Sequence, residues 1–173
     1  MAEWSVGARL VRFRVFLGFA LAPLVWWLAR PTFRSLWAGT VVAAAGEAVR
    51  LWAAGHLQKS REVTASGPYR WCAHPLYAGS ALMGAGLAMA SARPAPAALI
   101  LAYLAAALTT AAAREAAFLR RTHGEAYDRY RKGVVDRTRR FSWALAMANR
   151  EYRAIAGLLA AVGLLALKAA RGV

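Results

Sequence analysis

The chain has 173 residues, 60% of them hydrophobic, a mean hydropathy of +0.35 and a formal net charge of +15. A soluble domain is about 45–50% apolar, so this composition excludes an ordinary soluble fold, and the length leaves no room for a second sizeable domain. The single cysteine, Cys72, excludes an intrachain disulfide and a cysteine-based metal cluster; it reads as a packing residue.

Residues 1–14 form a short polar lead in which Arg9, Arg12 and Arg14 read as a cytoplasmic anchor. Residues 15–29 form the first apolar helix, with Trp26 and Trp27 near its far end, where an aromatic belt belongs, and Pro23 as a candidate kink. That segment is long and lacks a small-residue cleavage site, which argues against a removed signal peptide. Arg30-Pro31 ends it. The loop over 30–34 is short, so the first two helices form an antiparallel hairpin.

Residues 35–57 form the second helix, with the small-residue run Ala43-Ala44-Ala45-Gly46 that permits close packing within the bundle or between protomers. It carries Glu47 and Arg50, three apart and therefore on one face. Charges inside a membrane are costly and are candidates for function. The alternative is an intrahelical ion pair whose ends reach water at the cytoplasmic side.

Residues 58–73 form a cytoplasmic loop that leads into a polar, turn-rich island over 66–79, set between apolar segments. Gly67-Pro68 is turn chemistry. Pro75 biases His74 away from helix, so His74 stands at the mouth of the helix that follows, with Tyr77 one turn on. Unpaired N–H groups and a positive dipole end gather there, which makes a plausible cradle for a polar cofactor. The competing reading is an interfacial turn whose Tyr and Trp side chains anchor in lipid headgroups.

Residues 76–91 form the third helix, slim in glycine and alanine and only just long enough to span. Arg93-Pro94-Ala95-Pro96 turns the chain into a fourth helix over 97–113. Residues 114–140 hold nine Lys/Arg against four Asp/Glu and still read helical to 132, with a break near His123-Gly124. On that stretch Glu115, Phe118 and Leu119 share a face, as do Tyr127 and Tyr130. Arg137, Arg139 and Arg140 with Phe141 and Trp143 read as a basic, aromatic segment on anionic lipid. Residues 152–167 form a last, short apolar segment. The fold expected is therefore all-α: a polytopic membrane bundle of about five transmembrane helices, as one unit over 1–173. With the N-terminus inside, 58–75 and 114–150 both face the cytoplasm and can meet. The basic residues flank apolar spans, so topology and membrane lipids explain them better than nucleic acid does.

Gly67-Pro68-Tyr69-Arg70, then His74-Pro75-Leu76-Tyr77-Ala78-Gly79, then Glu115, Phe118-Leu119 and Gly124-Glu125-Ala126-Tyr127-Asp128-Arg129-Tyr130 resemble the isoprenylcysteine carboxyl methyltransferase family. The related phospholipid methyltransferases share the C-terminal signature. The resemblance covers residues about 46–140 and includes Arg50-Leu51-Trp52-Ala53. It implies an integral membrane enzyme with S-adenosylmethionine in a cytosol-facing pocket built by the two polar stretches; the Ala- and Arg-rich composition points to a bacterial inner membrane. The resemblance further implies that Tyr69, His74, Pro75, Tyr77, Glu115, Tyr127 and Tyr130 hold the cofactor. Arg50 is then the candidate for an anionic group of a lipid-like substrate, with Glu47 orienting it, and no metal is implied. The chain departs from the family pattern at Ala73, where an Arg usually precedes His-Pro, and at Arg114, where the first Glu of a pair usually stands. It departs again at Val134-Val135-Asp136-Arg137, in place of a Val-Pro-Arg-like ending. One arginine lost at 73 and another gained at 114 is a candidate compensation.

Such an enzyme aligns its reactants more than it activates them. A carboxylate acceptor is ionised at neutral pH and needs no base, whereas an amine must first lose a proton. No catalytic base, methyl acceptor or oligomeric state can be named from the residues. Two other classes share the features: a non-catalytic membrane scaffold or lipid-binding protein that keeps the fold, and a sterol-type membrane reductase, which needs more helices.

Overall fold

The computed structural model describes residues 16–58, 63–131 and 139–172, with the backbone alone at 126–129 and 131. The N-terminal arginines therefore lie outside the described residues, as does the departure over 134–137. Among the described residues six helices follow one another: α1 (Phe16–Leu28), α2 (Phe33–Ala54), α3 (Pro75–Ala90), α4 (Pro94–Arg131), α5 (Trp143–Ala148) and α6 (Tyr152–Ala170). A single 3₁₀ turn, Gly67–Arg70, interrupts the α2–α3 loop, and no strand occurs among the described residues. The all-α expectation stands. The count of spans is lower. Pro94–Glu125 and Tyr152–Ala170 are long and apolar enough to cross a membrane, while Phe16–Leu28 and Pro75–Ala90 are apolar but shorter. A span needs about 20 apolar residues, and the charges of Glu47 and Arg50 interrupt the apolar run of α2.

The helix ends follow local chemistry. Thr32 caps α2: its Oγ1 accepts from Ser35 N at 3.1 Å while Ser35 Oγ accepts from Thr32 N at 3.0 Å, a reciprocal capping box. His74, in a non-helical conformation with φ −134° and ψ 60°, precedes Pro75 at the first position of α3, where the missing N–H costs nothing. The α4 axis breaks at Gly124, whose φ of 34° and ψ of −108° are non-helical, in agreement with the break expected there.

Close packing of α2 on α3 sets the frame. A Cβ on Gly46 would lie 2.6 Å from Gly79 O, and one on Gly79 would lie 2.7 Å from Gly46 O. Gly39 and Gly86 repeat the arrangement one face-repeat away, against Ala90 and Ala43. The small-residue faces thus pack within the bundle. At the far end Ala29, Ala90 and Leu165 are buried together, with Leu36 and Leu87 against them. There Lys168 of α6 donates to Trp26 O at 2.7 Å and Trp27 O at 2.8 Å, capping carbonyls that α1 leaves unpaired.

At the opposite end the α5–α6 corner docks on the C-terminus of α2. Asn149 Nδ2 donates to Ala54 O and Leu57 O, both at 2.9 Å, and Ser142 N donates to Gly55 O at 3.0 Å. Phe141 lies directly on Gly55, where any side chain would collide with its ring. Trp143, Trp27, Trp37, Phe16, Phe19 and Phe33 turn outward, the distribution of a bundle whose outer surface is apolar.

Candidate functional site

Three chain segments meet beside the N-terminus of α3. The 3₁₀ turn brings Tyr69, the helix start brings His74 and Tyr77, and α4 brings Glu115. His74 Nδ1 lies 3.3 Å from Glu115 Oε2. The His74 ring stacks on Tyr77 with centroids 5.5 Å apart. Beyond the Gly124 break, Tyr130 returns to the site and its hydroxyl donates to Tyr69 O at 3.0 Å. The two polar stretches, separated by about forty residues of hairpin, therefore do converge.

These groups bound two adjoining cavities. The first, about 330 Å³, is lined by Gln58, Val63, Thr64, Arg114, Phe118, Leu119 and Tyr130. The second, about 480 Å³, is lined by Arg50, Leu76, Asn149, Arg150 and Glu151. Tyr69, Ala73, His74, Tyr77, Glu115 and Leu57 line both and form the wall between them. Both volumes fall in the range of small-molecule sites, about 300–1,000 Å³.

The electrostatics differ across that wall. Tyr69 is 8% exposed, and burial, then the neighbouring Glu115 carboxylate, raises its phenol well above the ordinary value. Its hydroxyl therefore stays protonated and can donate. In the second cavity Arg50 Nη2 lies 2.7 Å from Glu151 Oε1, and Arg50 Nε lies 3.5 Å from Glu47 Oε2. The same guanidinium donates to Ser80 Oγ and, at 3.5 Å, to Leu76 O.

Of the residues expected at the site, Tyr69, His74, Tyr77, Glu115 and Tyr130 gather at the first cavity. Pro75 is fully buried and lines neither cavity; it fixes the helix start that orients His74. The Tyr127 side chain lies outside the described residues. Glu47 and Arg50 do form the expected pair, but Arg50 is also held by Glu151, which the sequence reading did not single out. Cys72, expected to pack, is exposed. Ala73 and Arg114 line the same cavity, so the cation absent at one position reappears on the same chamber.

A family model described as phospholipid methyltransferase matches residues 13–126, more than half of the chain. The chain belongs to the phospholipid methyltransferase family. This grouping includes the isoprenylcysteine carboxyl methyltransferases that the motifs resemble. No curated protein and no solved structure matches the chain. The matched segment contains Arg50, the 66–79 island and Glu115. Tyr130 and the whole α5–α6 corner, with Asn149 and Glu151, follow it.

Proposed function

We propose that the protein is an integral membrane methyltransferase that takes its methyl group from S-adenosylmethionine and passes it to the polar head group of a lipid-like substrate. The observation that carries this reading is the shared wall. Two cavities of ligand size meet at His74, Tyr77 and Glu115, an arrangement suited to one reactant on each side.

The residues of the first cavity fit the cofactor. Glu115 offers a carboxylate to hydroxyl or ammonium donors, and Tyr69 offers a protonated phenol. Phe118 and Leu119 supply apolar surface for a purine, Arg114 supplies a cation for a carboxylate, and the Tyr69 and Tyr77 rings favour a cationic centre. The bound group would supply an electrophilic methyl on a sulfonium. The protein's part is to align the reactants and exclude water, and positioning alone is worth up to about 7–11 kcal/mol.

The lipid-like acceptor is supported by a third cavity of about 390 Å³, almost wholly apolar, between α1, α3, α4 and α6. It begins at Ser80, the residue that Arg50 grips. In this reading α1, α2, α3, α4 and α6 all lie in the membrane, the shorter ones tilted or locally thinning it, with the cavities facing the cytoplasm of a bacterial inner membrane.

Incubating the purified protein with vesicles of bacterial polar lipid and methyl-labelled S-adenosylmethionine tests the proposal. Label should enter the organic phase, and Glu115→Gln should lower the rate by about 10- to 100-fold. Organic-phase label that is absent, or unchanged in Glu115→Gln, would contradict it.

A further inference from the structure

The end of the bundle away from His74 and Glu115 carries cations and no acidic side chain to match them. Arg30 follows α1, Arg34 opens α2, Arg93 joins α3 to α4, and Lys168 and Arg171 end α6. No aspartate or glutamate occurs over 15–46, 76–114 or 152–173. Lysine and arginine collect on the cytoplasmic side of membrane proteins, and in the orientation proposed above this end faces away from the cytoplasm. The topology that explains the basic residues of 58–75 and 114–150 therefore does not explain these five. Lys168 is satisfied by the Trp26 and Trp27 carbonyls. Arg30 and Arg93 are not matched: neither guanidinium makes an ion pair among the described residues.

The fold nevertheless holds these two arginines on one cavity. Arg30 N donates to Ser91 O at 2.9 Å. Ser91 is itself buried, with its Oγ donating to Ala88 O at 2.6 Å, and Ala92, at φ 53°, turns the chain toward Arg93. The cavity there, of about 310 Å³, is lined by Trp27, Arg30, Arg93, Pro94 and Pro96. Two like charges on one cavity repel, and an anion between them replaces that repulsion with two attractions. Pro94 and Pro96 have no N–H to offer, so the guanidiniums are the groups that would hold it, and their planar forks of donors suit a phosphate. Trp27, Phe33 and Trp37 are exposed at this end, as aromatic side chains are at the headgroup level of a bilayer. Acyl chains attached to the phosphate would have that apolar surface to lie on, which favours a lipid over a free ion.

We infer that the cavity between Arg30 and Arg93 binds the phosphodiester of an anionic phospholipid from the far leaflet, fastening the end of α1 to the α3–α4 turn. A net-neutral phospholipid brings its own ammonium toward the same two guanidiniums and is disfavoured. The site requires the membrane placement proposed above but not methyl transfer.

The test titrates the full-length protein, in a non-ionic detergent, with phosphatidylglycerol, phosphatidylcholine or inorganic phosphate and reads thermal unfolding. Phosphatidylglycerol should raise the unfolding temperature saturably, with a half-saturation about tenfold below that of phosphatidylcholine, and inorganic phosphate at the same concentrations should leave it unchanged. Arg30→Gln and Arg93→Gln should each remove most of that preference. Arg171→Gln takes the same charge from the same end but outside the cavity and should keep it. A wild type without the preference, a preference unchanged in both cavity variants, or an equal loss in Arg171→Gln, the mark of diffuse attraction, would overturn the inference. Stabilisation by inorganic phosphate equal to that by phosphatidylglycerol would overturn it as well. Should the glutamine variants not fold, Arg93→Lys keeps the charge but loses the fork and must raise the half-saturation for phosphatidylglycerol by about threefold; an unchanged value overturns it equally. Resistance to carbonate extraction from membranes tests the membrane placement by itself, and S-adenosylhomocysteine binding tests the methyltransferase reading, so failure of either is distinguishable from failure of the lipid site.

Discussion

The two sides of the shared wall are built differently. In the wall itself, the His74 and Glu115 side chains are 24% and 39% exposed and meet at 3.3 Å. On the second-cavity side, Arg50 and Glu151 are 19% and 4% exposed and meet at 2.7 Å. Exposed pairs in water hold each other weakly, about 0–1 kcal/mol, so His74 and Glu115 exchange partners readily when a polar ligand arrives. A buried pair behaves in the opposite way: removing one partner strands the other. The His74–Glu115 contact can open to a ligand, whereas the Arg50–Glu151 contact stays in place.

Arg50→Ala is the largest disturbance available to that contrast. It leaves Glu47 and Glu151 buried without a cation and should cost about 3–5 kcal/mol of stability, read as a lower unfolding temperature in detergent. Glu115→Ala should leave that temperature within a degree or two, since its partner remains hydrated. Equal losses from both substitutions would erase the distinction between the two sides.

Gly79→Val probes the frame that holds both sides. Its Cβ would meet Gly46 O and the Arg50 side chain, and overpacking of this kind costs about 1–3 kcal/mol. The substitution should loosen α2 from α3 and lower the unfolding temperature by less than Arg50→Ala does.

Gly124→Ala acts on the first side alone. The positive φ there suits glycine, and alanine should cost somewhat more than about 1 kcal/mol locally. By straightening α4 it would carry Tyr130 away from Tyr69. Weaker S-adenosylhomocysteine binding with little change in unfolding temperature is the expected result; unaltered binding would remove the break from the account.

The smallest effect concerns His56, just beyond α2, whose Nδ1 lies 3.1 Å from Ser66 Oγ and whose ring packs on Gly67. Burial, then the nearby Arg139 charge, lowers its pKa below the usual 6.5. The folded state therefore binds the proton less readily than the unfolded chain. Its neutral form is native, so stability is complete above about pH 6.5 and declines as pH falls toward the lowered value. His56→Asn should flatten the acid side of a stability profile between pH 8 and 5; an unchanged slope would show that His56 is not the group responsible.

Much of this was legible in the chain. The helix start at His74-Pro75, the break at Gly124 and the glycine seam between α2 and α3 are local events, written in residues that only one backbone conformation or one packing distance accommodates. The meeting of His74 with Glu115 followed from topology, because a hairpin must return to the side it left. Glu151 was not legible as Arg50's partner, since that contact joins residues a hundred positions apart through the docking of Asn149 on α2, which no local pattern announces. Two helices are long and apolar enough to cross a membrane where five were expected, because α1 and α3 are short and Glu47 and Arg50 interrupt the apolar run of α2.

The most direct measurement is calorimetric titration of the folded, detergent-solubilised protein with S-adenosylhomocysteine. The account predicts saturable binding at one site, weakened by about 10- to 100-fold in Glu115→Gln and little changed in Glu151→Gln. No heat of binding to the folded wild type, or equal binding by the wild type and Glu115→Gln, would contradict the assignment of the first cavity.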